Sequence, residues 1–150
     1  MARISMTIET ALPPDKVLEA LLDFSDRRPD IWRGLAREFY EVYSVGEKEA
    51  DVREGSSKPM KVWAKEHYDW AEPGVVSWRV QESNFCQPGS GVVVRVTPGA
   101  SVGSTVRIDW ERTPSNARGR FIIAFMKLTG GRLISSYTKK TLDGLAKQGA

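Results

Sequence analysis

Apolar and polar residues alternate at the start of the chain. Ile4, Met6 and Ile8 are separated by polar side chains, a period of two that is typical of a half-buried β-strand. Pro14 and Asp15 follow, and both favour the first turn of a helix: proline fits there, and a carboxylate stabilises the positive helix end. The pattern predicts a strand and a short helix. Residues 25–35 predict a second short helix or an irregular corner.

Short strand-like segments then repeat along the middle of the chain. They are separated by turn residues, among them three Pro-Gly pairs, which favour tight turns because proline presets its φ and glycine accepts positive φ. Six strands are predicted, at residues 37–45, 49–54, 61–71, 75–82, 92–97 and 104–113. This spacing favours an antiparallel meander.

Residues 115–148 predict one long helix, capped by Ser115 or Asn116. Its first half is apolar almost all the way round, and its second half is amphipathic, so it could cover one face of the sheet. We expect the contacts to be made by Phe125, Met126, Leu133 and Tyr137. The pair Gly130-Gly131 indicates a kink or a close approach, or else a break into two helices.

The length and composition of the chain limit the class of protein to which it can belong. A length of 150 residues predicts one domain, residues 1–150. Cys86 is the only cysteine, the N-terminus does not resemble a signal peptide, and no apolar run could span a bilayer. We therefore expect a cytoplasmic location, no internal disulfide and no transmembrane segment.

Positive charge is concentrated at the C-terminal end. The net charge is +3, yet residues from Arg112 onward hold eight basic side chains against the single acid Asp143. A solvated outer helix face explains this pattern, and a docking face for an acidic partner is the alternative. Nucleic acid is not an expected partner, because the tail lacks aromatics interleaved with its basic residues.

The order of the elements is uncommon: a strand, two short helices, six strands and a long helix. It resembles the helix-grip fold of the START and pollen-allergen-like superfamily (SRPBCC), particularly its polyketide cyclase/dehydrase branch. Three stretches carry the resemblance: residues 8–23, the Pro29-Asp30-Ile31-Trp32 corner, and the closing helix through residues 142–147. The glycine-rich loop of the pollen-allergen branch is not matched at Glu54-Gly55-Ser56-Ser57.

The resemblance implies an α+β helix-grip fold, with a curved seven-stranded antiparallel sheet wrapped around a long C-terminal helix and two short helices after strand 1. It also implies an internal apolar cavity for a small hydrophobic molecule, such as a lipid, an aromatic or a polyketide-like compound. Cyclase or dehydrase activity occurs within that superfamily. A homodimer is compatible with the sequence.

Familiar catalytic and metal motifs are missing from the sequence. His67 and Cys86 are the only residues of their types, which is too few for a zinc site. Nothing in the pattern pairs them as base and nucleophile. Gly89-Ser90-Gly91 precedes a strand and so does not match a dinucleotide or phosphate loop. No catalytic residue, metal or cofactor is assigned.

One acidic residue falls on an apolar strand face. Alternation along residues 61–71 places Glu66 with Val62, Ala64 and Tyr68, towards the long helix. A buried carboxylate needs a cation, hydrogen-bond donors or a wet cavity, and Arg112 has the parity to reach it. Glu66 could be a ligand anchor or general base, or half of a structural ion pair. A bulge could instead reverse the alternation and turn His67 inward.

Large aromatic side chains are the remaining signal. They can close a core or line a cavity, and the resemblance favours the cavity. With Arg79 and Asp109 expected on the outer face, the candidate ligand-binding residues are Trp32, Tyr43, Glu66, Tyr68, Trp78, Trp110, Met126 and Tyr137. The expected function is binding of a small hydrophobic ligand. A protein-interaction module that uses the basic C-terminal helix, without ligand or catalysis, is the alternative.

Overall fold

The computed structural model describes residues 2–58, 60–129 and 131–148. It contains seven strands, β1 (Ala2–Thr10), β2 (Glu41–Val45), β3 (Glu49–Ser56), β4 (Val62–Asp69), β5 (Val75–Ser83), β6 (Gly91–Pro98) and β7 (Ser104–Arg112). The helices are α1 (Pro14–Leu21), α2 (Arg28–Ile31), α3 (Ala117–Leu128) and α4 (Arg132–Gln148), with a 3₁₀ turn at Arg37–Phe39. This confirms the predicted α+β helix-grip class.

The seven strands form one curved antiparallel sheet in the order β1-β7-β6-β5-β4-β3-β2. Each strand from β2 to β7 pairs with its neighbour in sequence, as expected for a meander. The first strand instead pairs with the last, with Ile4 opposite Trp110 and Met6 opposite Ile108. The two ends of the strand region therefore meet, and α1 and α2 lie in the long connection between β1 and β2.

The predicted alternation of buried and more exposed residues is confirmed on β1 and β7. Every second residue of β1 and of β7 is buried. Trp78 and Trp110 lie on the concave face as predicted, whereas Arg79 is exposed and Asp109 accepts a hydrogen bond from Ser5 on the convex face. Glu66 also faces inward, and the alternative with His67 inside is wrong.

The prediction of one long C-terminal helix is wrong, and the alternative of two helices is right. Asn116 caps α3 by accepting a hydrogen bond from the Gly119 N–H at 2.8 Å. The chain then leaves helical geometry at Gly131, whose φ is +77°. A Cβ atom there would lie 2.7 Å from Cγ2 of Ile4, so Gly131 is also a close approach to β1. Gly130 lies outside the described residues.

The face by which the tail packs also differs from the prediction. Leu133 and Tyr137 are 40% and 57% exposed, so their predicted contact with the sheet is wrong. Leu142 is fully buried instead, and Ile134 and Leu145 pack beside it. The break at Gly131 sets the rotation of α4 independently of α3, and Leu133 and Tyr137 fall on its flank.

Helix α3 packs through one face only. Its Ile122 joins a small cluster with Phe85 and Cys86, whereas Phe121 and Leu128 point away from the sheet and are exposed. The main core lies between the concave face, α1 and α4. Among the described residues, no helix is long and apolar enough to cross a membrane.

Candidate functional site

A cavity of about 320 Å³ lies between the concave face of the sheet and the helices. Most of its wall is apolar. Side chains from three parts of the fold contribute, namely Val17 and Leu21 of α1, Val92 and Val94 of β6, and Ile134 and Leu142 of α4.

Five of the eight candidate residues line this cavity: Trp32, Glu66, Tyr68, Trp78 and Trp110. Tyr68 and Trp78 stack with ring centroids 4.9 Å apart, and this contact holds both rings in place in the wall. The Trp32 indole N–H donates to the Ala20 carbonyl at 3.1 Å, and this bond fixes the ring beside α1. Aromatic residues therefore line the cavity, and Tyr68, Trp78 and Trp110 lie on the inner face that alternation predicted for them.

Three candidate residues lie elsewhere. Met126 is half-buried and packs against both apolar clusters, outside the cavity lining. Tyr43 is 46% exposed on the edge strand β2, where the register shifts, and its ring contacts the Lys65 ammonium 4.6 Å away. Tyr137 is exposed because the rotation of α4 puts it on the flank. The sequence-based placement of these three in the cavity wall is wrong.

One polar cluster in the wall is centred on Arg28. Its Nε donates to a Glu54 carboxylate oxygen at 2.8 Å, and Nη1 donates to the Leu21 and Asp23 carbonyls. Nη2 donates to the Tyr68 hydroxyl at 3.2 Å, and that hydroxyl donates to Glu54. Arg28 and Glu54 are both buried, and the cluster ties α2 to β3 and β4.

A second polar pair lies farther along β4. Nη2 of Arg112 lies 3.3 Å from Oε2 of Glu66, and both side chains are buried. This is the pair that the sequence predicted from the parity of β7 and β4. The bond is single and long, in contrast to the several bonds made by Arg28.

The electrostatics of the two clusters differ. Burial raises the pKa of Glu66 to about 7, and the neighbouring Glu54 adds to this, while the Arg112 cation opposes it only in part. Burial and the Glu54 charge also hold the pKa of Tyr68 well above its usual value. Burial disfavours the charge on Arg28, but Glu54 and Tyr68 outweigh it and raise the pKa of Arg28. Glu66 is thus a wall group that can change charge near neutral pH.

Arg28 and Glu54 are the site residues that the sequence analysis missed. Glu54 carried a usable signal, because it alternates with Ala50 and Val52, which are buried on the same face of β3. Arg28 carried no such signal, since it begins the four-residue helix α2, which is too short for periodicity to predict burial. Its place in the wall depends on the Glu54 carboxylate, which is distant in sequence.

The remaining reactive side chains do not form a site. His67 lies on the convex face, where its Nδ1 is 2.9 Å from an Asp51 oxygen, and Cys86 is buried under α3 on the other side of the sheet. Within the part of the chain that the structure describes, no three histidine, cysteine, aspartate or glutamate side chains are grouped as metal ligands.

A curved antiparallel sheet, a covering C-terminal helix and an apolar cavity between them define a START-like helix-grip protein. The chain belongs to the family described as "Polyketide cyclase / dehydrase and lipid transport", whose model matches residues 1–149. A comparison with curated proteins returned no match.

Solved structures with the same fold include a START superfamily protein, an aromatase/cyclase and a di-domain ARO/CYC. A START superfamily protein from Mycobacterium smegmatis has a TM-score of 0.76 and 13% identity, with 99% of each chain covered. The Zhui aromatase/cyclase from Streptomyces sp. R1128 has a TM-score of 0.78 and 15% identity, covering 98% of this chain and 94% of that one. The di-domain ARO/CYC StfQ from the steffimycin biosynthetic pathway has a TM-score of 0.71 and 10% identity. This match covers 97% of the present chain and 52% of StfQ. At these identities the likeness concerns the fold.

Proposed function

We propose that this protein binds a small hydrophobic molecule in the cavity between the sheet and α4. The observation that carries the proposal is the cavity itself, with its largely apolar wall and few polar groups. That combination is typical of small-molecule sites, where apolar surface supplies affinity and polar groups orient the ligand. The family description, which names polyketide cyclases and lipid transport, agrees with this class of ligand.

The volume of the cavity limits the size of the ligand that it can hold. Its volume of about 320 Å³ lies near the lower end of the range for small-molecule pockets, roughly 300–1,000 Å³. A bicyclic aromatic or a medium-length acyl chain suits it better than a large lipid. The aromatic side chains in the wall, among them Trp32, Tyr68, Trp78 and Trp110, can contact an aromatic ligand.

Binding of Prodan, a neutral fluorescent dye built on naphthalene, tests the proposal. We expect the wild-type protein to bind the dye with an affinity that does not change at high salt, because apolar contact is insensitive to screening. Ala64→Phe fills the cavity from β4 and is expected to lower dye affinity about tenfold or more. Ala124→Phe makes the same change on the exposed side of α3 and is expected to leave the affinity unchanged.

Two outcomes would contradict the proposal. One is the absence of dye uptake by the folded wild-type protein, and the other is equal loss in both variants. Salt-sensitive association with an acidic protein, without dye uptake, would instead favour an interaction module built on the basic tail. Neither the fold nor the comparisons support that alternative.

A second candidate function is acid–base turnover of the bound molecule. The observation behind it is Glu66, a cavity carboxylate with a pKa raised to about 7. A group with a pKa near the working pH can both accept and donate a proton, as enolisation and dehydration steps require. Tyr68 also lines the cavity, and its high pKa keeps its hydroxyl protonated.

Base-catalysed ring opening of nitrobenzisoxazole tests this chemistry. A base removes the ring C–H proton, the N–O bond breaks, and a coloured cyanophenolate forms. We expect the rate to rise with pH to a plateau, with a midpoint near 7, as Glu66 loses its proton. Glu66→Gln should remove this activity, and the exposed-face control Glu111→Gln should keep it. A folded Glu66→Gln variant with unchanged rate would contradict the assignment.

A further inference from the structure

Two arginine side chains lie in the cavity wall, and they differ in how their N–H groups are used. All three nitrogens of the Arg28 guanidinium donate hydrogen bonds, to Glu54, Tyr68 and two backbone carbonyls. In Arg112, only Nη2 has an acceptor, at 3.3 Å. Within the part of the chain that the structure describes, Nε and Nη1 of Arg112 have no hydrogen-bond partner. Arg28 is thus held by the protein, and Arg112 is left with free donors.

The surroundings of Arg112 make these free donors costly. The residue is only 8% exposed, and its guanidinium carbon lies 5.9 Å and 5.8 Å from the ring centroids of Phe85 and Trp110. A buried charged donor without an acceptor loses its hydration, and the attraction of the two rings makes up for only part of that loss. A site of this kind favours a partner that brings oxygen atoms into the cavity.

Glu66 does not fully neutralise Arg112. Its carboxylate makes one long bond to the guanidinium, and burial keeps a share of Glu66 protonated near neutral pH. When Glu66 is protonated, the positive charge of Arg112 faces an apolar cavity with no anion bound to it. The Glu54 carboxylate is already engaged by Arg28 and Tyr68.

We propose that Arg112 binds an anionic oxygen of the ligand, so that the molecule held in the cavity is a hydrophobic acid. A carboxylate on an aromatic or aliphatic body fits this description, and the free Nε and Nη1 groups are its donors. The inference rests on the proposed ligand-binding function and adds the chemical class of the ligand's polar group. Arg–carboxylate hydrogen bonds are charge-assisted and stronger than neutral ones.

The arrangement has a consequence for pH. The titratable and charged groups around Arg112 are Glu66, Glu54, Arg28, Tyr68 and the Cys86 thiol. Burial raises the pKa of Glu66 to about 7, and it raises the pKa of Tyr68 and of Cys86 above their usual values. Ionised Glu66 competes with the ligand for Arg112. Binding of an anion should therefore weaken as pH rises through about 7, although the ligand itself stays ionised over this range.

Matched acid and amide pairs test the inference: naphthoate against naphthamide, and decanoate against decanamide. Each pair has the same apolar body, and only the acid carries charge. By calorimetry at pH 6, we expect the wild-type protein to bind each acid about tenfold more tightly than its amide. At pH 8 the preference should shrink. Glu66→Gln should keep the preference at both values of pH.

Substitution of Arg112 provides the second part of the test. Arg112→Gln should lose the preference for the acid while it still binds the amide, and the exposed control Arg120→Gln should behave as wild type. Should Arg112→Gln fail to fold, the double variant Glu66→Gln/Arg112→Gln, which carries no charge at either position, takes its place with the same expected result.

The outcomes separate the two proposals. Equal affinity of the wild-type protein for acid and amide at pH 6 overturns the role of Arg112 and leaves the cavity as a neutral hydrophobic site. A preference for the acid that survives in the folded Arg112→Gln or double variant overturns it as well. Failure of all four compounds and of Prodan to bind overturns ligand binding itself, and the anion site with it.

Discussion

At the scale of single residues, burial decides the behaviour of Glu66. Alternation along β4 turns the side chain inward, and the cavity wall offers it one long bond to Arg112. Desolvation disfavours the carboxylate more than that bond favours it, so its pKa rises from the ordinary 4.5 to about 7. Glu66 is therefore a group whose protonation couples folding to pH, as well as a wall residue of the cavity.

We expect the free energy of unfolding to fall as pH rises from about 4.5 to about 7. In this window the unfolded chain releases the Glu66 proton while the folded protein keeps it, so the contribution is complete below 4.5 and lost above 7. The difference between these two values of pKa corresponds to about 3 kcal/mol. Urea unfolding at a series of pH values measures it.

Glu66→Gln is the matched variant, because glutamine resembles the protonated acid. If Glu66 were held as a strong ion pair, its removal would destabilise the fold by about 3 kcal/mol or more. The raised pKa reverses this expectation above pH 7, where the variant should be at least as stable as wild type. A wild-type profile as flat as that of the variant would contradict the assignment.

Four acids with a shifted pKa act outside this window. Four aspartates have a pKa below the usual 3.8, so their contributions to stability are lost only at more acidic pH; they are Asp23, Asp51, Asp109 and Asp143. A change in stability between pH 4.5 and 7 that disappears in Glu66→Gln is therefore assigned to Glu66.

At the scale of elements, the break between α3 and α4 determines how the C-terminal tail meets the sheet. Gly131 takes a φ of +77° and lies against β1, close to Ile4 and Met6. A left-handed residue at this point ends one helix geometry and lets the next helix begin in a new direction. Helix α4 is then free to follow the sheet, which one continuous helix with the direction of α3 would not do.

Gly131→Ala is expected to destabilise the protein by about 1–3 kcal/mol, because positive φ disfavours a side chain and the added Cβ has no room. Gly144→Ala makes the same change inside α4, where the added Cβ would meet nothing within 4 Å. It should stabilise by about 0.5–1 kcal/mol through helix propensity. Thermal and urea unfolding compare the two, and equal effects would argue against the break.

At the scale of the whole molecule, α4 closes the concave face of the sheet. The Thr10 hydroxyl donates to Asp143 at 2.8 Å, and the Lys139 ammonium donates to the Glu9 carbonyl at 2.7 Å, so both bonds attach α4 to the end of β1. Leu142 inserts between helix and sheet with no exposed surface, and it also lines the cavity. The same contact holds the fold together and bounds the ligand site.

Leu142→Ala is therefore expected to lower the free energy of unfolding by about 2–5 kcal/mol, since it removes buried methyl groups and enlarges the cavity. Leu133→Ala, in the same helix but 40% exposed, should cost less than about 1 kcal/mol. Chemical denaturation of both variants measures the difference. A larger loss of stability in Leu133→Ala than in Leu142→Ala would contradict the observed packing of α4 and favour the face that the sequence pattern predicted.

The sequence by itself determined the parts of this protein that depend on local periodicity. Alternation placed the strands, turned Trp78, Trp110 and Glu66 inward, and matched the parity of Arg112 to that of Glu66. These predictions succeed because side chains on a strand have only two directions, and burial of one face decides between them. The order of elements and the three matched stretches were sufficient for the family.

Only the tertiary structure decided which apolar residues face the cavity and which polar groups have partners. The rotation of α4, and with it the exposure of Leu133 and Tyr137, depends on the break at Gly131 rather than on the helical wheel. Arg28 lies in the wall because its guanidinium donates a hydrogen bond to Glu54, which is 26 residues away in the sequence. The free donors of Arg112 likewise result from what surrounds them in space, because hydrogen bonding and desolvation depend on distance in space rather than on sequence separation.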